Sequence, residues 1–531
     1  MSANSPVVGA SGAADLQKRV RQGWSVLYGD SPAPEGLSDL AEPEYFQDLN
    51  LDQFVTGVAG TTDEYELTGY LRHALNDPEL IGFRQAVFTD VERDRVRGVI
   101  DDFGDRMRIV RQRLSDAQKR SEHYESRRWQ LDAASAYCQA VCTLQSDLAE
   151  VVPSSTGLQG IASYLRYYLD SKPFRALTHA RSAAIGALAT VQYAVLLEGA
   201  RITVAAYDDE PDYSVQVTDT FARFRNDGAR EAEVSVPRHG GPLDHVEAGV
   251  LAQAARIFPD HFAVLDQFCT DHSNFLDPTV VAFDVEIRFY LMFEDYLAQL
   301  RDRGLPLTMP VLVHDHTALQ LLDVYDLPLA VHCNDDQPVV LNDITCQDPE
   351  RILVVSGPNN GGKTTLARTV GQLHHLARLG CPVPGSEVQI MLCDAIYTHF
   401  ERQEDLTTLA GRLQTELDSL HATLTAATDR SVIIMNEMFS STTVDDAQYL
   451  SREILTRVTD LGAIAVCVTF LEELSTLNEC TVSMVSLVDP DDAGHRTFQV
   501  VRQRADGRAY ARALATKYGL AHDQVSERVG S

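Results

Sequence analysis

The chain is expected to fold as an all-α half followed by an α/β half, with a small β insertion in the first. Three observations predict this. Residues 45–168 hold few glycines and place apolar residues at spacings of three and four, the period of a helix with one buried face. From about Leu319 short apolar runs alternate with helical stretches, as in a largely parallel sheet flanked by helices. Between the halves, ITVAAYD at 202–208 and YSVQVTDTF at 213–221 alternate in strand fashion around DDEP.

Taken in order, residues 1–40 are small, polar and rich in Pro and Gly, and are read as a flexible segment. Residues 41–200 are read as helical, 201–243 as the short β insertion, 244–318 as a helical return and 319–531 as the α/β domain. Asn76-Asp77-Pro78 has the form of a helix start. The stretch 86–130 reads as one or two extended helices, and a further helical run covers 174–199. Expected strands are ILVVS at 352–356, VQIMLCDAIY at 388–397, SVIIMNE at 431–437, AIAVCVTF at 463–470 and VSMVSLV at 482–488.

With 76 acidic and 45 basic residues the formal charge is −31, which argues against a simple basic scaffold that coats nucleic acid. Residues 341–531 hold 16 basic and 25 acidic side chains, leaving −22 on residues 1–340. Arg106, Arg113, Arg120 and Arg127 recur every seven residues, which sets them along one side of a continuous helix. Two readings stand: a rail facing phosphates, or a solvated face paired with Asp105, Asp116, Glu122 and Glu125. Nine scattered cysteines form neither a disulfide framework nor a metal cluster. The N-terminus lacks the pattern of a signal peptide, and the most apolar stretch, Ala183 to Leu197, is too short to span a bilayer. A cytoplasmic protein without a membrane segment is expected.

The strongest chemical signal is Gly357-Pro358-Asn359-Asn360-Gly361-Gly362-Lys363-Thr364-Thr365. A strand precedes it and a helical pattern follows. In this setting the glycines let backbone N–H groups turn toward phosphate oxygens, and the helix N-terminus adds partial positive charge. Lys363 would reach the β and γ phosphates, and Thr364 would offer its hydroxyl to Mg²⁺. The second signal is the strand ending in Asn436-Glu437. Two acids usually stand there, the first holding the metal's water shell and the second polarising the attacking water. Asn436 keeps an oxygen but no charge, so Mg²⁺ would bind more weakly, and Glu437 is the candidate base.

GPNNGGKTT, NEMFSSTT and ADGRAYARALATKYGL at 505–520 together resemble the MutS family of DNA-repair ATPases, within the ABC-type superfamily. VVLNDITCQ at 339–347 resembles the family segment just before the phosphate loop, and 400–417 holds the place of a loop and helix linking nucleotide to partner subunit. The segments 46–170 and 244–310 look, less closely, like the family's connector and lever, with the hairpin where a DNA clamp is inserted. The resemblance implies a homodimer, with ATP and Mg²⁺ between subunits, that couples nucleotide state to double-stranded or branched DNA in repair or recombination.

The departures shape that expectation. The lever-like region begins near residue 46, so the family's mismatch-reading domain is expected to be absent, and the clamp is expected to be short. Phe470 stands where the family has a histidine, Arg412 falls near its serine that reaches across the dimer, and Asp446 matches an aspartate of the dimer contact. Slow hydrolysis follows as an expectation. The alternative reading is a near-inactive nucleotide switch that binds proteins rather than DNA. A transporter's ATPase subunit is disfavoured because LSGGQ is missing. His374 and His375 read as packing or surface residues. Tyr325 could stack on adenine or pack in the core, and Trp129 and Tyr164 read as core rather than base-stacking.

Overall fold

The structure is a computed structural model that describes residues 23–31, 34, 36–199, 201–209, 243–313, 319–333, 338–400, 411–489 and 496–505. Its helices in chain order are α1 Tyr45–Asp48, α2 Leu51–Ala59, α3 Leu67–Arg72, α4 Pro78–Val91, α5 Asp94–Lys119, α6 His123–Val151, α7 Thr156–Leu169, α8 Lys172–Ala189, α9 His245–Ile257, α10 Pro259–Asp271, α11 Pro278–Asp302, α12 Leu327–His332, α13 Lys363–Leu379, α14 Arg412–Ala426 and α15 Val444–Leu461. The strands are β1 Tyr193–Glu198, β2 Arg201–Ala206, β3 Leu307–Thr308, β4 Val311–Val313, β5 Leu319–Val324, β6 Asn342–Cys346, β7 Ile352–Ser356, β8 Val383–Pro384, β9 Glu387–Met391, β10 Ile396–Phe400, β11 Val432–Asn436, β12 Ile464–Val468, β13 Thr481–Val488 and β14 Arg496–Arg502. Two compact units result: one of residues 1–24, 94–153 and 160–284, the other of 25–93, 154–159 and 285–531.

In the first unit α5 and α6 pack along one another. The stripe Val96, Ile100, Phe103, Met107 and Val110 is buried on α5, and Leu131, Ala134, Tyr137, Cys138, Val141, Leu144 and Leu148 on α6. These spacings form one apolar face per helix. The two helices break between Lys119 and His123, which corrects the continuous basic rail. Arg127 belongs to the second helix, and each of the four arginines has its own intramolecular partner. Arg106 donates to Asp102 at 2.6 Å, and Arg113 to the Asp132 carbonyl at 2.8 Å. Arg120 pairs with Glu125 at 3.3 Å and Arg127 with Asp266 at 3.5 Å. The paired reading therefore holds, with partners that sequence spacing names only for Glu125.

The insertion also differs from expectation. Helix α8 stops at Ala189, and the hairpin is β1 with β2, Tyr193 opposite Ala206 and Glu198 opposite Arg201. Residues 193–198, read as the end of a helix, form a strand instead. Gly199 turns the chain at φ 60°, a conformation that glycine adopts without strain. The expected second strand at 213–221 lies outside the described residues. Tyr164 is a core residue whose hydroxyl donates to Asp277, and Trp129 lies under the Arg120 guanidinium at 5.3 Å.

The second unit is built on a six-stranded sheet in the order β10-β11-β12-β7-β13-β14, parallel except for β14. Strand β7 is fully buried, as are β11 up to Met435 and β12. This is why they read as continuous apolar runs rather than alternating ones. VQIMLCDAIY is two strands in different sheets, β9 and β10, because β9 joins a four-stranded sheet in the order β4-β9-β5-β6.

Helix α13 is buried on nearly every side. One side meets β11 and β12. The other is tied to the segment 45–76: Arg368 donates to the Asp48 carbonyl at 2.8 Å, Gln372 to Leu49 at 2.9 Å, and Arg378 to the Asn76 side chain at 2.6 Å. His375 lies 2.9 Å from the Leu71 carbonyl and 3.2 Å from the Tyr45 hydroxyl. Burial depresses His374 and His375 to about 4, so both are neutral packing residues. The Asx start is as expected, with Asp77 capping α4 through the Glu79 N–H at 2.9 Å and Pro78 in the first turn. All nine cysteines are free. Among the described residues no helix is long and apolar enough to cross a membrane.

Candidate functional site

The phosphate loop connects the carboxyl end of β7 to the first turn of α13, beside β12 and β13. Ligands of open parallel sheets sit at this end of the strands, where helix N-termini point. Gly357 and Gly362 have φ of 118° and 90°, where side chains other than hydrogen are strained. A Cβ on Gly357 would also come within 2.9 Å of the Ser486 carbonyl oxygen. Ser486, on β13, donates its hydroxyl to the Gly361 carbonyl at 2.6 Å and so braces the loop from below. The sequence offered no motif for Ser486.

Lys363 opens α13 and is buried, 4% exposed. Its Nζ donates to the Gly357 carbonyl at 2.7 Å and lies 3.5 Å from the Asn359 side-chain oxygen. The ring of Phe470 stands 4.5 Å from the same nitrogen. Burial pulls the Lys363 ammonium below its usual range, Glu437 pulls it back up, and Arg496 adds to the lowering. Phe470 sits on a fixed turn after β12: the Thr469 N–H donates to the Val355 carbonyl at 3.0 Å and the Leu471 N–H to the Thr469 hydroxyl at 3.0 Å.

The two sequence signals meet at one point. Thr364 Oγ1 donates to Asn436 Oδ1 at 2.9 Å. The hydroxyl comes from the first turn of α13 and the amide from the end of β11. Two neutral oxygens side by side suit a hard cation that completes its shell with water and phosphate oxygens, as Mg²⁺ does. They fit the implied ion, although with one negative charge fewer than a carboxylate would bring. Glu437 follows at φ 56°, its N–H donating to the Val468 carbonyl at 2.9 Å. Such left-handed non-glycine positions are held by their surroundings and recur at functional sites. Asp446 is part of the α15 cap, its N–H donating to the Thr443 hydroxyl at 3.2 Å. The side chain of Arg412 and residues 506–520 lie outside the described residues.

Beside the loop is a cavity of about 640 Å³, bounded by Asn360, Gly362 and Thr365 and by Leu329, Val340 and Phe498. Arg496 also lines it and donates to the Asn359 carbonyl at 3.1 Å. Asn342 ties β6 to β14 across it, donating to the Phe498 carbonyl at 3.4 Å and accepting from Val500 at 2.7 Å. Tyr325 reaches the cavity wall but is buried, its hydroxyl donating to Pro306 at 3.1 Å, so its ring belongs to the core. Arg496 and Phe498 carried no sequence signal. They lie on the antiparallel edge strand, which was not among the expected strands.

Residues 353–523 match the family model for MutS domain V. This segment of the chain is similar to MutS domain V. Over 137 residues it is 31% identical to the DNA mismatch repair protein MutS 2 of Halobacterium salinarum, a match covering 26% of this chain and 16% of that protein. A MutS domain V implies nucleotide binding, and the loop, the Thr364–Asn436 pair and the neighbouring cavity all lie within or against it.

Proposed function

We propose that this MutS-like protein binds ATP with Mg²⁺, acts as a dimer, and couples nucleotide state to the binding of double-stranded or branched DNA in repair or recombination. The observation that carries the nucleotide reading is the Thr364–Asn436 contact at the mouth of the phosphate loop. It joins the two motif halves at the point where a metal–phosphate unit would sit. The triphosphate would lie along Gly357–Thr365, and the base would enter the cavity between Leu329, Val340 and Phe498. Lys363 would hold the β and γ phosphates. Glu437 would orient and deprotonate the attacking water. Bound Mg²⁺ would supply charge neutralisation at the phosphates, held through Thr364 and Asn436.

Hydrolysis is expected to be slow, since Asn436 lacks the charge of an aspartate. Asn436→Asp is expected to raise the single-turnover rate at least about tenfold, and to lower the Mg²⁺ concentration needed for half-maximal ATP binding. Tenfold corresponds to about 1.4 kcal/mol, the scale of one charge-assisted contact. Rates and Mg²⁺ dependence identical to the parent would overturn the role of Asn436.

A second reading, a nucleotide switch that binds proteins instead of DNA, is favoured by one observation. The basic series Arg106, Arg113, Arg120 and Arg127 is occupied by intramolecular partners. Duplex and branched DNA titrations at increasing salt separate the two. DNA binding through phosphates weakens steeply with salt. The absence of binding at low salt, with and without ATP, would leave only the second reading.

A further inference from the structure

We propose that the Phe470 ring is a positioning residue for the phosphate-loop lysine: it holds the Lys363 ammonium in a resting seat that phosphates must displace. The proposal rests on the nucleotide reading of the site and deepens it.

Four observations converge. The ring centroid is 4.5 Å from Lys363 Nζ, within the range in which an aromatic face attracts a cation. The same nitrogen is turned back onto the Gly357 carbonyl at 2.7 Å, a backbone oxygen of the very loop whose amides would face phosphate. Phe470 is 52% exposed, a large apolar side chain whose position is not explained by core burial. The turn that carries it is fixed at both ends, by Thr469 to β7 and by Leu471 to the Thr469 hydroxyl. The backbone that carries the ring therefore stands at a set place relative to the loop.

The consequence follows from the competition. Resting Lys363 has a carbonyl, an amide oxygen and an aromatic face as partners. When it turns toward β and γ phosphate oxygens, the contact with the ring is weakened or lost. The free protein is thus stabilised relative to the bound one by the ring contact. Only ligands that recruit Lys363 feel this opposition. A nucleoside monophosphate, which offers no β or γ oxygen, does not.

The test is equilibrium binding of ATP, ADP and AMP with Mg²⁺ to the full-length protein and to Phe470→Leu and Phe470→Tyr. Leucine keeps an apolar side chain without the aromatic face, and tyrosine keeps the face. A cation–π contact at a partly exposed site is worth about a two- to fivefold change in an equilibrium constant. Phe470→Leu is therefore expected to tighten ATP and ADP about two- to fivefold, to leave AMP unchanged, and to be reversed in Phe470→Tyr. Thermal unfolding curves matching the parent would show that the exposed substitution leaves the fold intact. Equal effects on all three nucleotides, no effect, or weaker ATP binding in Phe470→Leu would each overturn the proposal. Failure of the parent protein to bind ATP or ADP at all would instead overturn the nucleotide reading.

Discussion

Lys363→Met is expected to weaken Mg²⁺-ATP binding about a hundredfold or more. The ammonium is the buried cation at the head of α13, 4% exposed and within hydrogen-bond reach of the Gly357 carbonyl at 2.7 Å. Charge-assisted hydrogen bonds to phosphate contribute about 1.5–3 kcal/mol each. Two of them, to β and γ oxygens, correspond to about two to four orders of magnitude in affinity. Methionine retains the length and apolar character of the stem, so the packing beneath the loop is largely preserved. Isothermal titration with ATP and with AMP checks the result. AMP affinity should change little, since its single phosphate is not expected to reach Lys363. An ATP affinity within threefold of the parent would contradict the placement of the triphosphate along Gly357–Thr365.

Arg84→Ala should destabilise the second unit by about 3–5 kcal/mol. Arg84 lies on α4 and is completely buried. Its guanidinium donates to the Leu27 carbonyl at 3.2 Å and to the Leu379 carbonyl at 3.3 Å. It lies 5.0 Å from the Tyr28 ring and 5.4 Å from the Phe289 ring. The buried Glu286, which accepts from Ser25 and from the Val26 N–H, has its carboxyl raised by burial and lowered by these bonds and by the Arg84 charge. Alanine would open a cavity, orphan two carbonyls and remove a positive charge that favours the ionised Glu286 carboxyl. Each of these is a recognised route to a large loss. Lysine is not expected to rescue it, because an ammonium cannot reproduce the planar fork between two carbonyls. Urea unfolding followed by far-UV circular dichroism measures the change. A midpoint within 0.2 M of the parent, on the scale of typical m-values, would contradict it.

The parts of the fold that were legible share one physical property: their local pattern and their burial agree. β7 is a run of buried aliphatic residues ended by a glycine, so both its extent and the loop after it could be read directly. β11 and β12 are similar. The α5 and α6 stripes carry a helical period over many turns. Legibility failed where burial did not follow the local pattern. YAVLLE at 193–198 follows the apolar end of a helix with only Thr190 and Gln192 as polar residues between them, yet its side chains are mostly exposed in a hairpin. The break inside VQIMLCDAIY is hidden because residues on either side of it are buried in different sheets. The arginine series kept its seven-residue spacing through a helix break, which spacing alone does not register. β14 escaped notice because an antiparallel edge strand with four polar residues in seven lacks a buried run.

The candidate site divides in the same way. The loop Gly357–Thr365 and the pair Asn436-Glu437 were legible because each is a contiguous set of residues whose chemistry is local. Ser486, Arg496, Phe498 and the seating of Lys363 on Phe470 were not, because each joins segments more than a hundred residues apart.

By itself, the sequence determined the similarity of domain type and the contiguous segment Gly357–Thr365 on which the candidate site is built, together with an uncharged Asn436 at the end of its strand. It also determined the total charge of −31, with −22 before residue 341. Only the tertiary structure decided how that charge is used. Arg106, Arg113, Arg120 and Arg127 each engage an acid or a carbonyl of their own unit. Only the tertiary structure, too, decided that residues 45–76 clasp α13, through carbonyls and side chains that no motif marks. The reason is physical. A phosphate loop is defined by the conformational freedom and hydrogen bonds of consecutive residues, which sequence order specifies. An ion pair or a buried helix face is defined by which distant segments meet, and that is decided by the packing of the whole unit.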